Sequence, residues 1–151
     1  MKILTAEITD DEILTKITKE SKAHWGFSTE ILLEWEHLLT ISRKYIEENN
    51  VTKLVKKGEV IGYYSYFKVD EKTLKLDNLF IQPSYIGTGL GKILMNHFLD
   101  QTKNLSLEKI ILDAEPNAED FYKKFGFVTV GQLESSLKDR FLPIMELKLN
   151  G

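Results

Sequence analysis

The chain has 151 residues, the size of one domain with a substantial core, and its 42% hydrophobic and 28% charged content is ordinary for a globular protein. A formal net charge of −3 gives no ground for nucleic acid or an anionic membrane as partner, and the absence of cysteine excludes disulfides, thiolate metal sites and cysteine nucleophiles. No apolar run reaches membrane-spanning length, the first residues lack a signal-peptide pattern, and His24, His37 and His97 have no metal-ligand spacing. The expectation is a single domain over 1–151, cytoplasmic, with no metal.

In chain order, Lys2 to Ile8 reads as a first strand. Thr9-Asp10-Asp11-Glu12 fits a capping box with Thr9 as N-cap, followed by a helix with Ile13, Leu14, Ile17, Ser21 and Trp25 on one face and Gly26 at its end. Ser28 opens a second helix, whose stripe is Ile31, Trp35, Leu38 and Leu39, and Ser42 caps a further turn through Tyr45 and Ile46. Asn49-Asn50 breaks the pattern, and a β section follows: Val51 to Val55, a hairpin turn at Lys56-Lys57-Gly58-Glu59, a long Tyr- and Phe-rich strand from Val60 to Val69, a turn at Asp70-Glu71-Lys72, and Thr73 to Ile81. A helix from about Gly89 to Thr102 is long enough to carry the chain to a parallel strand, Lys109 to Ala114, whose Ile110, Ile111 and Leu112 suggest burial on both faces. A short helix over Ala118 to Phe125 and strands over Phe127 to Leu133 and Phe141 to Leu149 complete an α/β order, β-α-α-β-β-β-α-β-α-β-β.

The chain is organised around the stretch that joins the Thr73 to Ile81 strand to the following helix. Leu76, Leu79, Phe80 and Ile81 make an apolar run stopped by Pro83. Gly87, Gly89 and Gly91 then alternate through a loop, and Leu90, Ile93, Leu94, Phe98 and Leu99 recur at helical spacing. Strand, glycines and helix make an anion site, because the first helical amides lack internal partners, the helix dipole is positive there, and glycine lets backbone approach a phosphate. The dinucleotide fingerprint G-x-G-x-x-G fails, since counting from Gly87 and Gly89 the third position is Lys92. The G-x-x-x-x-G-K-[ST] loop fails at Ile86 and Ile93. A βα turn with glycines for close packing and no ligand is the competing reading.

The spacing resembles motif A of the GNAT superfamily of N-acetyltransferases, [QR]-x-x-G-x-[GA]: Gly89 and Gly91 fill the small positions, and Ile86 stands where Gln or Arg is usual. The run Ala118-Glu119-Asp120-Phe121-Tyr122-Lys123-Lys124-Phe125-Gly126-Phe127 is similar to the family's motif B, A-x-x-F-Y-x-x-x-G-F, and is intact. Lys22 to Ser28 and Ser135 to Pro143 resemble a bacterial subgroup with mostly unassigned substrates. The element order is that of the family, so the resemblance covers nearly the whole chain. It implies the acyl-CoA N-acyltransferase fold: a mixed, mostly antiparallel sheet with splayed parallel central strands and helices on both faces.

The resemblance also implies roles. The backbone of Leu79, Phe80 and Ile81 would pair with the pantetheine arm of acetyl-CoA, and Gly87, Thr88, Gly89, Leu90, Gly91 and Lys92 would hold its pyrophosphate. Lys92 would add a charge-assisted contact or remain a solvated first-turn lysine. Tyr122 would donate a proton or hydrogen bond to the leaving thiolate, for which a hydroxyl with a reference pKa near ~10 is suited, although it could equally be a core aromatic beside Phe121 and Phe125. Asn117 would bind pantetheine, cap the Ala118 helix, or both. Asp77 is the first candidate for a general base, with Asp113 and Glu115 as rivals. The acceptor pocket would use Trp25, Phe27, Ser135 and Arg140; Trp25 at that helical spacing also reads as core, and Arg140 could pair with Asp139 or Glu134. The activity implied is direct transfer of an acetyl group from acetyl-CoA, as co-substrate, to the primary amine of an unidentified acceptor. A CoA-binding sensor and a transferase for another acyl-CoA remain alternatives, and a homodimer is open because relatives are commonly dimers.

Overall fold

Among the described residues of the computed structural model, 1–26, 28–134 and 141–149, the chain forms seven strands and six α-helices. They are β1 (Lys2–Thr5), α1 (Asp11–His24), α2 (Thr29–Glu34), α3 (Glu36–Leu39), α4 (Arg43–Glu48), β2 (Asn50–Lys56), β3 (Glu59–Asp70), β4 (Thr73–Ile81), α5 (Leu90–Thr102), β5 (Lys109–Asp113), α6 (Glu119–Lys123), β6 (Val128–Glu134) and β7 (Phe141–Lys148). The strand order is β1-β2-β3-β4-β5-β7-β6, mostly antiparallel, with β4 and β5 as a parallel pair. This is the mixed α/β sheet that the element order implied. The chain divides into two compact units, Met1–Tyr66 with Asn78–Asp100, and Phe67–Asp77 with Gln101–Gly151.

The core of the first unit gathers Leu14, Ile17, Ile41, Ile46, Val51 and Tyr63, with Tyr45, Val60 and Phe80 packed against it. Full burial of one such aliphatic side chain contributes about 2 kcal/mol, so this cluster decides which face α1 turns inward. The inward face is Leu14, Ile17, Thr18 and Ser21, the helical spacing of three and four. Thr18 is tolerated there because its hydroxyl donates to the Leu14 carbonyl at 2.8 Å and also meets the Tyr63 hydroxyl.

Three sequence expectations change here. The box that opens this region is made by Glu7 and Asp10, not Thr9 and Glu12: Asp10 Oδ2 accepts from the Glu7 amide at 2.8 Å. That box caps a turn of 3-10 helix over Ile8–Asp10, and α1 starts one residue later. Trp25 is not on the buried stripe. It follows the last helical residue and is 52% exposed, because the helix closes through the Gly26 amide on the Ala23 carbonyl at 3.1 Å. The second predicted helix breaks at Trp35 into α2 and α3, which leaves Leu38 exposed while Leu39 is buried. Ser28 and Ser42 cap α2 and α4 as expected, accepting from the Ile31 and Tyr45 amides at 3.2 and 3.0 Å.

Gly62 sets how closely β4 and α5 approach β3. A Cβ at this position would lie 2.7 Å from Ile81 Cδ1, 3.0 Å from the Phe80 carbonyl oxygen and 3.3 Å from Leu94 Cδ1. The Ile81 methyl can rotate aside, but the Phe80 backbone cannot. Gly62→Ala is therefore expected to destabilise the fold by about 2 kcal/mol, the usual cost of overpacking, read as a lower urea midpoint at unchanged slope. A midpoint equal to the parent protein's would mean that β4 shifts freely at this point.

In the second unit, the β4–β5 register runs from Thr73↔Lys109 to Lys75↔Ile111, and β5 pairs antiparallel with β7 from Lys109↔Lys148 to Asp113↔Ile144. Burial on both faces of β5 is not observed. Ile110 and Leu112 are buried, whereas Lys109, Ile111 and Asp113 are half-buried. The reason is charge: Lys109 pairs with Glu146 at 3.2 Å and Asp113 with Lys75 at 3.0 Å, which keeps that face near water.

Candidate active site

Pro83–Tyr85 forms one turn of 3-10 helix that ends β4. Gly87 and Gly89 then take φ values of +86° and +85°, the left-handed region where glycine alone is unstrained. The first amide bonded within α5 is that of Ile93, to the Gly89 carbonyl at 3.2 Å. The amides of Leu90, Gly91 and Lys92 therefore have no intrahelical acceptor and stand at the positive end of the helix dipole. A Cβ at Gly87 or Gly89 would meet nothing within 4 Å, so the space over the loop is open. Lys92 is exposed and makes no ion pair among the described residues. Positive charge, free donors and open space converge on one short loop.

Leu79 and Phe80 are half-buried, Ile81 is buried, and Asp77 is exposed. The Gln82 amide donates to the Ile61 carbonyl at 2.8 Å. Peptide groups alternate sides along a strand, so those of Phe80 also face β3 and those of Leu79 and Ile81 face away. The Ile81 carbonyl is already bonded to Ser21 Oγ at 2.8 Å. Of this run, Leu79 therefore presents both a donor and an acceptor to the side away from β3.

Asn117 and Tyr122 belong to the second unit. Asn117 is exposed within a 3-10 turn over Pro116–Ala118, and the residue at the N-cap position of α6 is Ala118. The helix-cap role considered for Asn117 is thus not the one observed, and its side chain has no hydrogen-bond partner among the described residues. Tyr122 is buried, with the rings of Phe121 and Phe127 at 5.2 and 5.9 Å. Its hydroxyl has no partner among the described residues, and burial pushes its pKa up to about 12. The phenol therefore holds its proton across the neutral range.

Trp25 is exposed with the His24 ring edge-on at 5.0 Å. Beside it, an open groove of about 530 Å³ is lined by Glu20, Ala23, His24, Gln82, Pro83 and Ser84. Phe27, Ser135 and Arg140 lie outside the described residues. No group of three metal-binding side chains comes together, and no helix is long and apolar enough to cross a membrane, among the described residues. Sequence reasoning missed Ser21 as a polar contact of β4 and missed the cluster of Asn78, Ser65 and Tyr45. The available signal was Asp77-Asn78, two residues disfavoured in strands, inside an apolar strand.

The description "Acetyltransferase (GNAT) domain" matches residues 14–149, and the chain belongs to this family. It is similar to the [ribosomal protein bS18]-alanine N-acetyltransferase of Haemophilus influenzae, at 32% identity over 80% of this chain and 77% of that one. It is also 37% identical to the uncharacterized N-acetyltransferase ycf52 of Pyropia yezoensis over 34% of its length, a match that spans only 29% of that protein. Among solved structures, it is similar to the PaiA N-acetyltransferase of Thermoplasma acidophilum in complex with coenzyme A. The TM-score is 0.78 at 20% identity, covering 99% of this chain and 100% of that one.

Proposed function

We propose that this protein is an acetyl-CoA-dependent N-acetyltransferase that moves the acetyl group directly to a primary amine. The observation that carries the reading is the Gly87–Lys92 loop, with two glycines in the left-handed region, three helical amides without intrahelical acceptors, a free lysine and open space above. These are the donors a pyrophosphate requires. In the same unit, the Leu79 peptide groups, aimed away from β3, would pair with the pantetheine arm, while those of Phe80 face β3 and the Ile81 carbonyl accepts from Ser21. A protein of the same fold has been solved with coenzyme A, which is in keeping with a ligand of this class.

In direct transfer, the amine nitrogen forms a bond to the thioester carbonyl carbon, the carbon–sulfur bond breaks, and the sulfur leaves with the electron pair. The amine must lose one proton and the sulfur must gain one or be stabilised by a hydrogen bond. Tyr122, in the second unit, is the proposed donor to sulfur, since it is protonated at working pH and its hydroxyl is uncommitted. Asn117, also uncommitted, would bond the pantetheine amides. Asp77 is exposed, so its proposed role is to accept the amine proton through water. Trp25, beside the open groove, is a proposed wall for the acceptor, and Phe27, Ser135 and Arg140 keep the acceptor-binding role that the resemblance implies. The relatives named for amine acetylation support an amine acceptor, and a homodimer is proposed on the resemblance alone.

Calorimetry with acetyl-CoA and desulfo-CoA tests the reading. Micromolar binding of both is expected, followed by thiol release with a suitable amine. Absence of binding by either at high micromolar concentration would leave the fold without its ligand and overturn the proposal.

A further inference from the structure

The Leu79–Ile81 segment pairs with β3 on one edge and is also held by side chains. Among the described residues, the β4–β5 register stops at Lys75↔Ile111, although β4 continues to Ile81. A strand with no ladder on one edge is restrained from its other edge only. At one end of the segment, Asn78 Nδ2 donates to Ser65 Oγ at 2.9 Å on β3 and to the Tyr45 hydroxyl at 3.3 Å on α4, and the two hydroxyls lie 2.8 Å apart. At the other end, Ser21 Oγ on α1 donates to the Ile81 carbonyl at 2.8 Å. Ser65 and Ser21 are both buried. Asparagine in the middle of a strand, after Asp77 and directly before Leu79, Phe80 and Ile81, breaks the local preference, and such breaks concentrate where function needs them.

We propose that Asn78, with Ser65 and Tyr45, and Ser21 are positioning residues. They fasten β4 immediately before Leu79 and again at Ile81, so that the Leu79 peptide groups keep one orientation for a ligand amide. The ligand part of this inference rests on the coenzyme reading above; the fastening does not.

The test uses Asn78→Ala and Ser21→Ala, with Thr18→Val as a control that removes a different buried hydroxyl contact, on Tyr63. Two quantities are read: hydrogen exchange of the Phe80 and Gln82 amides, which face β3, in the protein alone, and the Kd for acetyl-CoA. Each of the first two variants is expected to speed exchange at these amides about 10-fold and to weaken acetyl-CoA by a similar factor, as a loosened binding group does. Thr18→Val should lower the melting temperature while leaving both quantities within about two-fold. If Asn78→Ala fails to fold, Tyr45→Phe removes one hydroxyl of the same cluster and should give a smaller change in the same direction.

Unchanged exchange in both Asn78→Ala and Ser21→Ala, or equal acceleration in Thr18→Val, would overturn the fastening. Faster exchange with an unaltered Kd would overturn its role toward the ligand. Faster exchange in variants of a parent protein that binds no acetyl-CoA would support the fastening and sink the coenzyme reading instead.

Discussion

Tyr122→Phe is expected to lower kcat about 100-fold while the Kd for acetyl-CoA stays within about two-fold. General acid catalysis contributes ~10²–10⁴-fold, and 100-fold corresponds to about 2.7 kcal/mol of transition-state stabilisation. Phe keeps the ring contacts with Phe121 and Phe127 and removes only the hydroxyl, so binding and fold should survive. Because burial holds the Tyr122 pKa near about 12, this residue gives the rate no alkaline limb in the ordinary working range. The rate should instead climb with pH as the acceptor amine loses its proton.

The same shift has a stability signature. The folded state keeps the Tyr122 proton up to about 12, whereas the unfolded chain releases it near the ordinary value of 10.0. Above that value the unfolded state binds fewer protons, so stability falls as pH rises through the interval, by about 3 kcal/mol from this group. Below it the contribution is fully present. Tyr64, raised to about 12 chiefly by burial, acts in the same direction. Tyr122→Phe should flatten the alkaline fall in melting temperature without abolishing it. Wild-type turnover in the Phe variant would remove Tyr122 from the chemistry, and an unchanged alkaline profile would contradict its buried, protonated state.

Gly89→Val should weaken acetyl-CoA binding at least about 100-fold, equivalent to about 2.7 kcal/mol. Two causes add. A β-branched residue at a φ of +85° is strained by about 1–2 kcal/mol, which the loop can relieve only by turning its amides away. The new side chain also enters the open space where a pyrophosphate would lie. The melting temperature should fall by only about 5 °C, since nothing in the fold is displaced. Calorimetry and a thermal scan on the same sample separate the two effects. Parent-like affinity in the Val protein would mean that the loop is a packing turn, which was the competing reading of the glycines.

Much of this architecture could be read along the chain, and the parts that could share a physical character. The strand limits of β4 at Thr73 and Ile81, the caps at Ser28 and Ser42, and the glycine loop before α5 all follow from interactions within a few residues: a proline that cannot continue a ladder, a serine that reaches its own helix amides, a glycine at positive φ. Trp25 shows the limit. Its spacing fits the α1 stripe, but the helix ends before it, and one residue past a helix end the periodicity no longer says which way a side chain points. The Thr9 box failed for a similar reason. Glu7 and Asp10 make the reciprocal pair instead, and Asp10 is also drawn to Lys53 at 2.8 Å, a partner from β2 that local sequence does not reveal.

By itself, the sequence determined the order of the seven strands, the family, and the donor-rich loop over Gly87–Lys92, because each depends on short-range backbone chemistry or on motif spacing. Tertiary structure decided which groups remain free to act. Burial among aromatic rings gives Tyr122 its high pKa and an uncommitted hydroxyl, the Ser21 hydroxyl removes the Ile81 carbonyl from the strand edge, and Asn78 finds Ser65 and Tyr45 on two other elements. Those are contacts between residues far apart in the chain, and desolvation and hydrogen-bond partnership arise only once the chain has brought them together.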